Sequence, residues 1–131
     1  MPEQHEAHAF YRRYLAALNA HQFDRMGEFL HERVTHNGAP TTRAHIQAAL
    51  RDIGEAVPDF TWRLRGLVAE GDQLAALLTN TGTPTREWLD QAPTGASFEI
   101  TEYGFYRLRD GRFTDLSNLH DADTLRRQLA G

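Results

Sequence analysis

The sequence predicts an α+β domain in which a strongly curved antiparallel sheet wraps around N-terminal helices and encloses a cone-shaped pocket. Three observations indicate this fold class. Apolar residues recur every three or four positions in the N-terminal part, they alternate with polar residues after Asp59, and Asp110-Gly111 separates two alternating segments. A chain of 131 residues suffices for one hydrophobic core, so we expect a single domain over residues 1–131.

Three helices are predicted ahead of the sheet. The first runs from Glu3 to Ala20, where apolar and aromatic side chains share one face. A shorter helix fits Phe23 to Leu30, and the segment 34–40 that follows is a strand end or a loop. A third helix begins after Thr42, a residue type that caps helix N-termini, and ends before Pro58.

Four strands and a closing helix follow. Trp62 lies in the first alternating segment, and a Gly-Asp turn at 71–72 leads into the second. Asp110-Gly111 is a strong hairpin signal because glycine readily accepts a positive φ. A long polar connection spans residues 83–95. The predicted strands lie at about 60–65, 73–82, 98–109 and 112–120, and the last helix lies at about 122–129.

Composition excludes several classes of function. The formal net charge of -4 gives no basic patch for nucleic acid. The chain has no cysteine, and all 14 basic residues are arginine, so thiolate metal sites, cysteine nucleophiles and lysine Schiff bases are ruled out. No apolar run reaches the roughly 20 residues of a membrane span. We therefore expect a cytoplasmic protein without a metal site.

Several side chains could line the predicted pocket. His36 and Asn37 lie between helices, and an imidazole there could exchange a proton near neutral pH. The alternative is a plain turn at Asn37-Gly38. Tyr14 and Trp62 could contact an apolar ligand, although aromatic residues at such spacings more often belong to the core.

Strand alternation groups further candidates. Tyr103, Phe105 and Arg107 share one face of their strand, and Ser117 and Asp121 share one face of the next. If Arg107 and Asp121 face the same cavity, the guanidinium could orient the carboxylate and keep it ionised. A simple ion pair would give the same pattern.

Asp121 also stands immediately before the last predicted helix. Aspartate is a favoured N-cap residue, so helix capping and acid–base chemistry are both open to this side chain. His120 points away from Asp121 by strand alternation and is interpreted as a bystander.

Five segments together resemble the SnoaL-like polyketide cyclases. They include an HN pair, a PD pair, a GD turn, a GT, a TG, a DG hairpin and a terminal QL, in the order that the family shows. The segments are VTHN at 34–37, IQAALRDIGEAVPDF at 46–60, LVAEGDQLAALLTNTGT at 67–83, PTGASFEI at 93–100 and YRLRDGRFTDLSNLHDADTLRRQL at 106–129.

This resemblance implies the cystatin-like cone of the nuclear transport factor 2 superfamily. Characterised family members close the last ring of aromatic polyketide methyl esters by an intramolecular aldol reaction, without cofactor or metal. Asp121 matches the aspartate that serves as acid and base, Arg107 matches a polar strand position facing it, and His36-Asn37 matches the HN pair. Family members commonly carry Glu-His-Trp where this chain has Asp115, Leu116 and Ser117, which implies a reshaped pocket.

Two functions follow from these observations. The first is a cofactor-free cyclase or isomerase that acts on a hydrophobic carbonyl compound through Asp121. The second is a non-catalytic module that binds an apolar ligand, and Asp121 capping Thr124 in solvent would favour it. The resemblance and the face of the sheet left uncovered by helices also lead us to expect a homodimer, with neither nucleic acid nor membrane as a partner.

Overall fold

A computed structural model describes residues 4–130 of the chain. Within this range the protein has three α-helices, a 3₁₀ helix and one six-stranded sheet. The first residue of the predicted first helix, Glu3, lies outside the described residues. The helices are α1 (Gln4–Asn19), the 3₁₀ helix (Phe23–Glu28), α2 (Arg43–Ala56) and α3 (Ala122–Leu129). The strands are β1 (Leu30–His36), β2 (Ala39–Thr42), β3 (Thr61–Glu70), β4 (Gln73–Gly82), β5 (Phe98–Arg109) and β6 (Arg112–His120).

The sheet confirms the predicted α+β class and adds two strands to it. The strand order is β2-β1-β6-β5-β4-β3, with antiparallel neighbours except for β1 and β6, which run parallel. The purely antiparallel prediction is therefore wrong at this one pair. Residues 34–36 belong to a strand that pairs with β2 across the following turn and with β6 from a distant part of the chain, and local periodicity does not reveal the second pairing.

The predicted turns and caps form as expected. Asn37 and Gly38 have φ of 49° and 82° and connect β1 to β2, while Asp110 and Gly111 have φ of 50° and 80° and connect β5 to β6. The Thr42 side chain accepts a hydrogen bond from the backbone N–H of His45 and caps α2. The second predicted helix is only a 3₁₀ turn, because the chain extends at Leu30 to pair with Phe113 of β6.

The sheet has an inner face, covered by α1 and α2, and an outer face that no helix of residues 4–130 covers. Side chains on the inner face alternate with exposed ones along β5. Aromatic rings of α1 pack on this face, with Tyr11 5.1 Å from Tyr106 and Tyr14 5.2 Å from Phe113 between ring centroids. No helix of the described chain is long and apolar enough to cross a membrane.

The connection between β4 and β5 is less polar than predicted. Trp88 within it is buried and stacks on Phe98, with centroids 5.1 Å apart. Its ring also contacts the edge of His120, with centroids 5.4 Å apart. This indole therefore helps to seal the core next to the last residue of β6.

Candidate functional site

Two depressions lie on opposite faces of the sheet. The inner pocket has a volume of about 160 Å³ and lies between the sheet and the helices α1 and α2. The outer groove is a broad depression of about 910 Å³ on the uncovered face. Apolar residues of the two helices form one wall of the inner pocket, whereas a group of polar side chains from β4, β5 and β6 lies at the opposite wall.

The polar wall is centred on the carboxylate of Glu102, which is only 3% exposed. One of its oxygens accepts a hydrogen bond from Asn80 Nδ2 at 2.9 Å, and the other accepts one from Asn118 Nδ2 at 2.9 Å. A buried carboxylate needs such donors, because an unpaired one would be strongly destabilising. Its hydrogen-bond partners are two neutral amides, and no arginine lies at hydrogen-bonding distance among the described residues.

The strand register brings these residues together. Glu102 on β5 lies directly opposite His120 on β6, and Gly104 lies opposite Asn118. Side chains at opposite and diagonal positions on one face of a sheet are within contact distance of each other. The network therefore follows from the pairing of three adjacent strands, and a rigid part of the fold holds it.

Hydrogen bonding fixes the tautomer of His120. Asn80 donates its amide N–H to Glu102, so its Oδ1 can only accept the contact of 2.8 Å from His120 Nδ1. The proton of neutral His120 is therefore on Nδ1, and Nε2 carries the lone pair. Glu102 Oε1 lies 3.7 Å from Nδ1.

The Nε2 atom of His120 is open to solvent. Every buried side-chain nitrogen or oxygen of the described residues has a hydrogen-bond partner. Nε2 takes part in none of the hydrogen bonds formed within this part of the chain, and the side chain is 18% exposed. Because His120 lines the inner pocket, the chain presents an unpaired imidazole nitrogen where a ligand would bind.

Two buried tyrosines extend the polar wall. Tyr106 Oη lies 2.9 Å from Tyr11 Oη and accepts a hydrogen bond of 3.1 Å from Asn118 Nδ2. Burial raises the pKa of both phenols, so they remain protonated at neutral pH. The Tyr106 ring lies over Gly104, where an added Cβ would approach Tyr106 Cε1 to 2.7 Å. Gly104 thus makes room for this ring.

His36 and Asn37 lie at the rim of the inner pocket. Partial burial lowers the pKa of His36, while an interaction with the Asn118 side chain opposes the shift and nearby His45 adds to it. Asn37 forms the turn after β1, and its Oδ1 accepts a hydrogen bond of 2.8 Å from the backbone N–H of Asn118. Asn37 therefore lies in the turn and also lines the inner pocket.

The expected common cavity for Arg107 and Asp121 does not form. Arg107 lies opposite Asp115 near one end of β5, whereas the backbone N–H of Asp121 donates to Thr101, six residues along that strand and roughly 20 Å away. Both side chains are exposed, and neither lines the inner pocket.

The Asp121 carboxylate caps α3. It accepts hydrogen bonds from Thr124 Oγ1 at 2.6 Å and from the Thr124 backbone N–H at 3.0 Å. These bonds, the hydroxyl's first, lower the pKa of Asp121. A low pKa in solvent makes a weak base, so this geometry suits capping better than proton abstraction.

The remaining predicted ligand contacts divide between the two faces. Tyr14 and Trp62 line the inner pocket, as expected for apolar contacts. Tyr103, Phe105 and Ser117 lie in the outer groove instead, because alternation along β5 turns Glu102, Gly104 and Tyr106 inward. Their placement in the enclosed pocket is corrected accordingly.

The sequence interpretation missed Glu102, Asn80, Asn118 and His120. His120, the bystander of the sequence interpretation, lines the inner pocket, because strand alternation turns it away from the exposed Asp121. The whole of β5 indicates which of its faces is the inner one. The inward positions at the two ends of the strand are apolar or aromatic, namely Phe98 and Ile100 at one end and Tyr106 and Leu108 at the other. No cluster of three or more metal-binding side chains occurs among residues 4–130.

Comparison with known proteins gives a consistent picture. The family model described as SnoaL-like polyketide cyclase matches residues 8–129. A SnoaL-like polyketide cyclase from Agrobacterium tumefaciens is similar in structure, with a TM-score of 0.86 and 28% identity over 92% of this chain and 94% of that one. TsrD from Streptomyces laurentii gives a TM-score of 0.89 and 26% identity over 98% of both chains. No protein with a curated description matches the chain.

Proposed function

The chain belongs to the SnoaL-like polyketide cyclase family, and on that premise we propose that its inner pocket catalyses cofactor-independent acid–base chemistry on a small hydrophobic carbonyl compound. An aldol cyclisation or an isomerisation falls within this class. The observation that supports the proposal most directly is the unpaired Nε2 of His120, backed by the buried carboxylate of Glu102.

His120 takes the role that the sequence suggested for Asp121. Its Nε2 removes a proton from the carbon next to a carbonyl group, and the electron pair of that C–H bond forms an enolate. The Glu102 carboxylate stabilises the resulting imidazolium from 3.7 Å, and Asn80 holds the ring in place through Nδ1.

The reaction is completed without another reagent. In an aldol cyclisation the enolate carbon attacks a second carbonyl carbon, and the imidazolium Nε2–H returns its proton to the new alkoxide. In an isomerisation the same proton returns to a different carbon. Either sequence leaves the protein unchanged and requires no nucleophilic side chain or redox step.

Pocket size favours a compact compound. A volume of about 160 Å³ is smaller than the roughly 300–1,000 Å³ common for ligand pockets. A single ring with short substituents fits this space better than the fused rings of an aromatic polyketide.

Hydrogen exchange tests the proposal without knowledge of the product. Hydrophobic ketones and β-ketoesters of one ring are incubated with the protein in heavy water, and deuterium at the carbon next to the carbonyl is followed by NMR. We expect His120→Gln to slow exchange by about 10²- to 10⁴-fold, the usual contribution of a general base. His31→Gln is the matched control, since His31 contacts the backbone of Arg109 outside the inner pocket.

Asp121→Asn distinguishes the two candidate bases. We expect exchange at the wild-type rate, because Asp121 lies in solvent and caps α3. Strong loss of exchange in Asp121→Asn together with normal exchange in His120→Gln would refute the assignment of His120.

A non-catalytic binding module is the second candidate. The exposed, helix-capping position of Asp121 favours it, because the acid–base residue implied by the family resemblance is then absent from the pocket. Ligand binding in the inner pocket with no catalysed exchange in the wild type would support this function over the first.

The outer face supports a homodimer. Four large apolar side chains are exposed around the outer groove, namely Val68 at 67%, Tyr103 at 60%, Phe105 at 43% and Leu119 at 69%. Contiguous exposed apolar surface of this kind marks association sites in soluble proteins. A second copy placed about a twofold axis would cover the same patch on both chains.

A further inference from the structure

We propose that the hydroxyl of Tyr14 donates a hydrogen bond to the carbonyl oxygen of the ligand in the inner pocket, and that the ligand is uncharged. This inference rests on the proposed ligand site and names its recognition chemistry. It applies to the enzyme and to the binding module alike, because it concerns how the ligand is held.

Tyr14 is the tyrosine of the pocket whose hydroxyl has no protein partner in the described structure. Its side chain is nine-tenths or more buried, at 5% exposure, and it lines the inner pocket. Every buried polar side-chain atom of residues 4–130 that water cannot reach has a hydrogen-bond partner. The Tyr14 hydroxyl forms no such bond, so Oη must be one of the few parts of this residue open to the pocket.

The neighbouring phenols show the contrast. Tyr11 lies three residues earlier on the same face of α1, and its hydroxyl is paired with that of Tyr106 at 2.9 Å. Tyr106 in turn accepts from Asn118. Each of these two hydroxyls has a hydrogen-bond partner in the protein, whereas the hydroxyl of Tyr14 has none in the described structure.

Packing holds the Tyr14 ring in one place. Its centroid lies 5.2 Å from that of Phe113, 5.6 Å from Phe29 and 5.7 Å from Tyr11. Edge-to-face contacts on several sides restrict the ring, so its hydroxyl is aimed before a ligand arrives. A pre-aimed donor loses little entropy on binding and can stabilise an oxygen that gains negative charge as the enolate forms.

Tyr14 acts as a donor and not as a base. Burial raises its pKa well above the ordinary value, and the charges of Tyr106 and Glu102 would add to this effect. The phenol therefore keeps its proton at neutral pH.

The charge of the pocket selects against anions. Glu102 contributes a carboxylate to the wall, and the residues that line the inner pocket in the described structure include no arginine. A carboxylate ligand would meet a like charge without a fixed cation to offset it. A neutral ketone, aldehyde or ester satisfies both Tyr14 and the uncharged apolar wall.

Acetophenone and ethylbenzene provide a matched pair of probes. Both carry one ring and a two-carbon chain, but only acetophenone has an oxygen that can accept a hydrogen bond. We expect Tyr14→Phe to weaken acetophenone binding roughly threefold to tenfold and to leave ethylbenzene binding unchanged, as measured by calorimetry or ligand NMR. Benzoate should bind more weakly than acetophenone to every variant.

Infrared spectroscopy reports the bond directly. The carbonyl stretch of ¹³C-labelled acetophenone should lie at lower frequency when bound to the wild type than when bound to Tyr14→Phe. Acetophenone bound to His120→Gln should keep the low carbonyl frequency, even if this variant no longer catalyses hydrogen exchange. Failure of the catalytic proposal is therefore seen in the exchange rate, and failure of the Tyr14 proposal is seen in the carbonyl frequency.

Tyr11→Phe is the control variant. It removes a hydroxyl from the same helix face, but one that is paired with Tyr106, so the melting temperature should fall. Tyr14→Phe should melt at or above the wild-type temperature, because no protein hydrogen bond is lost. Any of three results would overturn the proposal. The first is that Tyr14→Phe weakens the binding of acetophenone and of ethylbenzene equally, the second is that it leaves the carbonyl frequency of bound acetophenone unchanged, and the third is that the folded wild type does not bind acetophenone.

Discussion

The inner and outer faces of β5 differ in chemistry although their residues alternate along one backbone. Inward side chains include Glu102 and Tyr106, which are hydrogen-bonded and almost fully buried. Outward side chains include Tyr103 and Phe105, which are exposed and apolar. The usual arrangement of apolar inside and polar outside is therefore reversed at the centre of the strand.

This reversal separates two tasks. The buried polar side chains need precise partners, so the inner face tolerates little change and suits a chemical site. The exposed apolar side chains make no hydrogen bonds and suit a surface that associates with another. Each face can therefore be altered without the other, and the following substitutions test that independence.

The largest effect is expected at Gly104. An alanine there would bring its Cβ to 2.7 Å from Tyr106 Cε1, and Phe113 and Tyr11 pack against the ring and oppose its displacement. We expect Gly104→Ala to lower the free energy of unfolding by about 1–3 kcal/mol, the usual cost of overpacking. Chemical denaturation measures the change.

Gly66 provides the matched control on β3. A Cβ there would have no neighbour closer than Leu77 Cβ at 3.9 Å, and the residue is exposed. Gly66→Ala should leave stability unchanged or raise it slightly, because alanine restricts the unfolded chain more than glycine does. If Gly104→Ala and Gly66→Ala lowered the free energy of unfolding by similar amounts, the cause would be the loss of glycine's backbone flexibility and not the crowding of Tyr106.

The second effect concerns association. Phe105→Glu combined with Leu119→Glu places charges in the outer groove, which opposes burial of this face against a second copy. We expect a shift from dimer to monomer in analytical ultracentrifugation at micromolar concentration. Hydrogen exchange by the monomer should persist, because neither side chain lines the inner pocket. A monomeric wild type would contradict the proposed use of the outer face.

The smallest effect concerns pH. Burial lowers the pKa of His36, so between that value and the ordinary value of about 6.5 the unfolded chain binds more protons than the folded protein. Stability should therefore fall as the pH drops below about 6.5. His36→Asn should reduce this loss, as seen in melting temperatures at about pH 7.5 and about pH 5.5, with His31→Asn as control. The change is small because His36 is only half-buried.

Most of the fold was predictable from local patterns. Helical spacing placed α1 and α2, alternation placed the first half of β3, the Gly71-Asp72 turn placed β4, and Asp110-Gly111 placed the last hairpin. Strands β1 and β2 were assigned only as a strand end or a loop, although they form a local hairpin across Asn37-Gly38; the parallel pairing of β1 with β6 could not be read from local patterns. Local periodicity reports which face is apolar but does not report which distant strand supplies hydrogen bonds.

The site was predicted less well, for a physical reason that β5 illustrates. Near its centre, Tyr103 and Phe105 are more apolar than Glu102 and Gly104, so a short window assigns the wrong face to the core. Over the full strand the inward set contains Phe98, Ile100, Tyr106 and Leu108, whereas the outward set contains Glu99, Arg107 and Arg109. A longer window identifies the inner face, and a buried glutamate within it then points to a functional site.

The parallel contact between β1 and β6 also bears on how the protein folds. The hydrogen bond between the Asn118 backbone and the Asn37 side chain joins residues 81 positions apart. Pairings of such long sequence separation slow folding, because the chain must lose much conformational freedom before they form. During synthesis α1 and β1 leave the ribosome well before β6, so the helical and strand walls of the pocket come together only once β6 is available, and a partly made chain has no complete pocket.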